Sequence, residues 1–267
     1  MISIIPKIVI TFFIVVSLIN CSEQGKKVVG SVVFEKTTKT IMFPSEDSVM
    51  ISADIYLAHN LDAPLIILFH QAGWSRGEYI DIAPKLNKLG FNCIAVDQRS
   101  GEKVNNVINK THGRAATANK PTKYLDAYID MVSSLKFLKE KYSKGKTIIW
   151  GSSYSAALSV RLAGEYKNEV DGLLSFSPGE YFVRFGKPKT FISDFAKNIA
   201  APVFITSAKN EKSNWENIYN SIPTENKHFF LPQTNGNHGS RALWSKFEDS
   251  NSYWNAVEPF LIKYFIN

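Results

Sequence analysis

The run Pro64-Leu-Ile-Ile-Leu-Phe69 has no polar side chain to turn toward water. Successive side chains of a strand point to opposite faces, so such a segment must be covered on both, as strands are in parallel sheets flanked by helices. Phe91-Asn-Cys-Ile-Ala-Val96, apolar but for Asn92, reads as a second buried strand, and Thr147–Trp150, Val170–Phe176, Ala201–Thr206 and Lys227–Leu231 read as further strands. Between them the period changes. From Lys123 to Tyr142, residues Leu125, Ile129, Val132, Leu135 and Leu138 recur three or four apart, as on one face of a helix. A shorter helix is expected between the first two runs, with Asp81 as N-cap, Pro84 in its first turn and Gly90 closing it. Ser252–Phe265 reads as a terminal helix, and a loop rich in Asn, Lys, Thr and Ala follows Gly101. Ahead of all this, Val32–Leu57 alternates loosely around the turn residues Pro44–Ser48, which predicts two or three antiparallel strands. Strands alternating with helices imply a mostly parallel sheet with right-handed crossovers. At 267 residues and 45% hydrophobic, the chain suits one large α/β domain.

The stretch Lys146-Thr-Ile-Ile-Trp-Gly151-Ser-Ser153-Tyr-Ser155-Ala-Ala-Leu158 carries the chemistry. It reads as a buried strand, an abrupt turn of small residues, and a helix running to about Tyr166. The turn is Gly-x-Ser-x-Ser, one residue from the Gly-x-Ser-x-Gly nucleophile elbow. A central residue held at strained backbone angles needs small neighbours two positions to either side, and Gly151 and Ser155 both qualify. Ser153 then sits at the tip with its hydroxyl exposed, while Ser152 and Ser155 point into the turn and helix.

An antiparallel start, strand–helix units, and Gly-x-Ser-x-small after the third parallel strand together resemble the α/β-hydrolase superfamily of serine hydrolases, in particular its esterase and dienelactone-hydrolase-like members. The resemblance covers residues 32 to 267 and implies an α/β sheet flanked by helices on both faces, with no large cap domain. His70-Gln71-Ala72-Gly73 follows the first buried strand, where the family has a His-Gly-x-Gly loop that lends an amide to the oxyanion hole. The resemblance assigns that amide to Ala72, and the second donor to Tyr154; His70 is expected to pack and hold the loop. Asp97-Gln-Arg-Ser-Gly101 is similar to the family's structural Asp-x-Arg-Gly turn, which makes Asp97 a turn-fixing carboxylate. Asn235-Gly-Asn-His238-Gly239 follows the last strand, where the family places its catalytic histidine, so His238 is expected in that role ahead of His59, His112 (in a solvated loop) and His228. The acid is expected at Glu211, in register from Val203. Glu180, just after the preceding strand, is the alternative.

The N-terminus adds a destination. Met1–Asn20 carries Lys7 and an apolar run from Ile8 to Ile19 broken only by Thr11 and Ser17. The run falls short of the roughly 20 residues a spanning helix needs and suits a signal-peptide core. It ends in Leu18-Ile-Asn-Cys21, which resembles a bacterial lipoprotein signal whose cysteine is lipidated. The expected division is a signal peptide at 1–20, a polar tether at 21–31 and the hydrolase domain at 32–267. The protein would then be exported and anchored by lipid at Cys21 to a cell-envelope membrane. The alternatives are a plain signal peptide, releasing a secreted or periplasmic protein, and an uncleaved anchor. Cys93 then stands alone as a buried small hydrophobe, so the cysteines offer neither a disulfide framework nor a metal-type spacing. No HExxH pattern or His/Cys cluster suggests a metal, and no cofactor is implied. Net charge is +7, but the lysines are scattered and no nucleic-acid motif accompanies them.

The expected function is a serine carboxylester hydrolase with a Ser153–His238–Glu211 triad, acting through an acyl-enzyme on a small-molecule acyl substrate. A thioesterase, lactonase or peptidase of the same mechanism is the second reading, and a non-catalytic hydrolase-like binding protein the third. Trp74, Tyr154, Tyr181, Phe182 and Trp244 lie near the expected site loops, either to meet an apolar acyl or aromatic group or as ordinary core.

Overall fold

The computed structural model describes residues 39–266. The expected signal peptide, the tether with Cys21, and the strand expected at Val32–Phe34 lie outside the described residues. In chain order the elements are β1 (Lys39–Pro44), β2 (Met50–Tyr56), β3 (Leu65–Phe69), α1 (Ala83–Lys88), β4 (Asn92–Val96), β5 (Lys103–Val104), β6 (Val107–Ile108) and α2 (Lys110–Thr117). They continue with α3 (Tyr128–Tyr142), β7 (Thr147–Ser152), α4 (Tyr154–Glu165), β8 (Gly172–Phe176), α5 (Phe191–Ala196), β9 (Val203–Thr206), α6 (Lys212–Ser221), β10 (Lys227–Phe230) and α7 (Ser250–Phe265).

Eight of the strands make one sheet in the order β1-β2-β4-β3-β7-β8-β9-β10. β1 and β2 pair antiparallel, β2 joins β4 antiparallel, and every pairing from β4 across to β10 is parallel. The alternation of side chains along β3 divides the core. Leu65, Ile67 and Phe69 face a layer that contains Met131, Leu135 and Leu138 of α3, Leu158 and Leu162 of α4, Ile192 of α5 and Trp215 of α6. Ile66 and Leu68 face the other layer, with Leu86 of α1 and Trp254, Val257 and Leu261 of α7. Cys93 is free and buried in that second layer, packed as an apolar side chain.

The sheet positions the site through its topology. Strands are added on one side of β3 as far as β4, then on the other side from β7 onward. Loops leaving the carboxyl ends of β3 and β7 therefore diverge, and a crevice opens between them at the switch point.

Three local expectations are corrected. Asp81 does not cap α1: the N-cap residue is Ile82, and Asp81 Oδ2 instead accepts from the Ser245 amide and hydroxyl at 2.9 and 3.0 Å. The stretch after Gly101 is not a loop throughout, since it holds the hairpin β5–β6 and the helix α2. His112 accordingly lies in α2, with Nδ1 2.7 Å from the Arg99 carbonyl.

Candidate active site

Ser153 joins β7 to α4 at φ 61° and ψ −120°, a left-handed conformation that non-glycine residues rarely adopt. The surroundings hold it there. The Ser153 amide donates to the Phe176 carbonyl at 2.8 Å, and its carbonyl accepts from Ala157 in the first turn of α4. Gly151 cannot carry a side chain, because a Cβ there would meet the Ser155 carbonyl oxygen at 2.5 Å and the Ala156 Cα at 2.6 Å. Ser155 occupies the second small position without strain. Its hydroxyl accepts from the Ser152 amide and lies 2.8 Å from the Phe69 carbonyl, which ties the turn to the end of β3.

His238 reaches over this tip from the loop after β10. Its Nε2 is 2.7 Å from Ser153 Oγ, and its Nδ1 is 2.6 Å from Glu211 Oε1. An ionised carboxylate only accepts, so the imidazole proton sits on Nδ1 and the Nε2 lone pair faces the serine. Glu211 is held from its other oxygen, which accepts from Ser177 Oγ at 2.7 Å and from the Ala208 amide at 3.2 Å. Burial works against ionisation here. The hydrogen bonds from His238 and Ser177 outweigh it, and the carboxyl stays below its ordinary pKa.

The Ala72 and Tyr154 amides, expected as oxyanion donors, lie on the β3 loop and in the first turn of α4; among the described residues neither has an acceptor. His70 lies outside this chain of contacts. Its Nε2 accepts from the Gln98 amide at 3.1 Å, so its proton is on Nδ1 and goes to the Gln71 carbonyl at 2.8 Å. Burial lowers its pKa to about 4, so it is neutral at pH 7 and shapes the loop. Asp97 is taken up by Arg76, whose amide and Nη1 donate at 2.8 and 2.7 Å, and by the Lys110 amide. Glu180 does not approach His238. Its carboxylate accepts from the Ile192 and Ser193 amides at the start of α5, each at 2.8 Å. His59 and His228 are engaged elsewhere, with the Asn87 carbonyl and the Tyr264 hydroxyl.

Of the aromatics expected near the site, Tyr154 and Phe182 are core residues and Trp244 is buried beneath a stacked Trp74. Tyr181 stays at the site, its hydroxyl donating to the Ser177 carbonyl at 2.6 Å. Two neighbours escaped the sequence reading. Ser177, at φ 57°, donates to Glu211 and accepts the Gly239 amide at 2.9 Å, so it braces both the carboxylate and the histidine loop. Its signal was a small residue before Pro178-Gly179 directly after a strand. Glu78 is wholly buried behind the serine turn, and nothing in its sequence context marked it. Among the described residues no three His, Cys, Asp or Glu side chains converge as a metal site requires.

Comparison with known proteins agrees with this architecture. The alpha/beta hydrolase fold family matches residues 64–210, more than half of the chain. No curated protein matches the sequence. Similar solved structures include an esterase of Pyrococcus furiosus, at 19% identity over 86% of this chain and 93% of that one, with a TM-score of 0.66. The dienelactone hydrolase of Anabaena variabilis is 11% identical over 86% and 98%, also at 0.66. Est1E from Butyrivibrio proteoclasticus, solved with ferulic acid bound, is 11% identical over 85% and 100%, again at 0.66. At these identities the likeness is one of fold. With its sheet order, its serine at a strained strand-to-helix turn and the family match over residues 64–210, the chain belongs to the α/β-hydrolase fold family.

Proposed function

We propose that this hydrolase cleaves a carboxylic ester of a small-molecule acyl substrate, with Ser153 as nucleophile, His238 as base and Glu211 as the acid that orients it. The observation that carries the reading is the unbroken relay from Ser153 Oγ through His238 to Glu211, at 2.7 and 2.6 Å. Ser153 Oγ attacks the acyl carbon while His238 Nε2 takes its proton. Glu211 stabilises the imidazolium and keeps the proton on Nδ1. The Ala72 and Tyr154 amides, which have no acceptor among the described residues, receive the negative charge that develops on the carbonyl oxygen, a contribution of about 3 kcal/mol per donor. Collapse of the tetrahedral species expels the alcohol, which takes the proton from His238. Water then attacks the acyl-enzyme with His238 again as base, and the carboxylic acid leaves. The named esterase and dienelactone hydrolase among the similar folds support an ester or lactone as the bond cleaved.

A fluorophosphonate probe should label the peptide containing Ser153, and Ser153→Ala should remain folded, stay unlabelled and lose p-nitrophenyl ester hydrolysis. Equal hydrolysis by the alanine variant would refute the assignment. The reading extends to location: the protein acts at a cell-envelope membrane, lipidated at Cys21, without a nucleic-acid partner.

A further inference from the structure

We infer that Glu78 is the positioning residue of this site, a buried carboxylate that locks the oxyanion loop, the serine turn and the histidine loop into one geometry. Glu78 Oε2 accepts from the Gln71 amide at 2.7 Å, one peptide before the Ala72 donor. Glu78 Oε1 accepts from Ser152 Oγ at 2.7 Å, one residue before Ser153. Ser152 Oγ in turn accepts from the Ser240 amide at 2.8 Å, two residues after His238. Segments distant in sequence thus meet at one side chain that touches neither substrate nor reacting atoms. The inference rests on the ester-hydrolase reading above.

The Gln71 amide can only donate. Ser152 Oγ accepts from the Ser240 amide with one lone pair, and with Glu78 ionised its one proton goes to Oε1. Both carboxylate oxygens therefore face donors, and only the ionised form satisfies them. Burial opposes that form and raises the Glu78 pKa to about 7, against the hydrogen bonds from Ser152 and Gln71. The ionisable groups facing Glu78 are Arg241, which favours the charge, and the phenols of Tyr79 and Tyr154. As pH falls below about 7, the added proton sets a donor against a donor, and the lock loosens. Protonation of Glu78 should then add to the loss of activity toward acid.

The test compares wild type, Glu78→Gln and Ser152→Ala in p-nitrophenyl butyrate hydrolysis, with rates normalised to Ser153 labelled by fluorophosphonate at saturation. Glutamine keeps the shape but has one accepting atom, so one donor is lost. Expected for Glu78→Gln is a kcat lower by on the order of 10²-fold, the scale of one oxyanion donor, with KM changed less than about threefold. Ser152→Ala, which cuts the same link with less change to the buried charge, should lower kcat in the same direction. The fall of kcat/KM toward acid below about pH 7 should have a steeper slope in wild type than in Glu78→Gln. If kcat per labelled serine is unchanged in both variants, or the slope is the same in wild type and Glu78→Gln, the inference is overturned while the hydrolase reading stands. A wild type that neither labels at Ser153 nor hydrolyses the ester overturns both.

Discussion

Glu211 and Glu180 both lie just past a strand, and the donors around each carboxylate separate them. Glu211 receives the His238 ring, the Ser177 hydroxyl and the Ala208 amide. Glu180 receives backbone amides of α5 and the Ser193 hydroxyl, so it ends the orphan donors of a helix start. Glu211→Gln puts an amide nitrogen or a weaker acceptor against Nδ1–H and frees the imidazole to take the wrong tautomer. Its kcat should fall roughly 10⁴-fold, about 5.5 kcal/mol of barrier, with melting nearly unchanged. Glu180→Gln should change kcat by less than about tenfold and lower stability by about 1 kcal/mol, the usual worth of a lost cap. Steady-state kinetics with parallel thermal melts separate the two. A catalytically dead Glu180→Gln with intact melting would move the acid role away from Glu211.

At the scale of elements, the serine turn depends on the absence of a side chain at Gly151. Gly151→Ala drives a Cβ into backbone atoms of α4 that cannot give way cheaply. It should lower stability by about 1–3 kcal/mol, the usual range for overpacking, and slow fluorophosphonate labelling of Ser153. Gly113→Ala is the contrast: it lies within α2 with open space around its position, so removing a helix glycine should stabilise by about 0.5–1 kcal/mol. Denaturant melts showing the same sign for both would contradict this account of the turn. The central strands were legible because their burial is continuous, and α3 because its apolar residues keep a helical period. β3, β4 and β8 are buried at every position and stand out as apolar runs. α2 buries only Thr111 and Ala115, so its period is too faint to read. The hairpin β5–β6 is secured by tertiary bonds from Ser75 to the Val107 carbonyl and from Asn105 to the Gly77 carbonyl. The same limit applied at the site. Ser153, His238 and Glu211 each follow a strand in a fixed order and were read from that order; Glu78 has meaning only once Gln71, Ser152 and Ser240 have met around it.

For the whole molecule, the described residues hold the proposed relay, and the proposed location rests on the sequence ahead of them. The proposed relay, the proposed oxyanion amides and the bracing residues all lie between Gln71 and Ser240, and among the described residues no helix is long and apolar enough to cross a membrane. The proposed attachment is through Cys21, in Leu18-Ile-Asn-Cys21 after an apolar run. Lipidation supplies about 0.8 kcal/mol per buried methylene, and stable anchoring takes more than one signal, such as two acyl chains. In a bacterium fed labelled palmitate, the protein should carry label and sediment with membranes. Cys21→Ser should lose the label and leave the membrane fraction, while its p-nitrophenyl ester kinetics per labelled Ser153 stay within about twofold of wild type. Activity is expected to persist because no group of the proposed relay lies near Cys21 in sequence and the proposed substrate is a small molecule. Label retained by Cys21→Ser, or an unlabelled wild type, would exclude lipidation at this cysteine and favour a plain signal peptide or an uncleaved anchor.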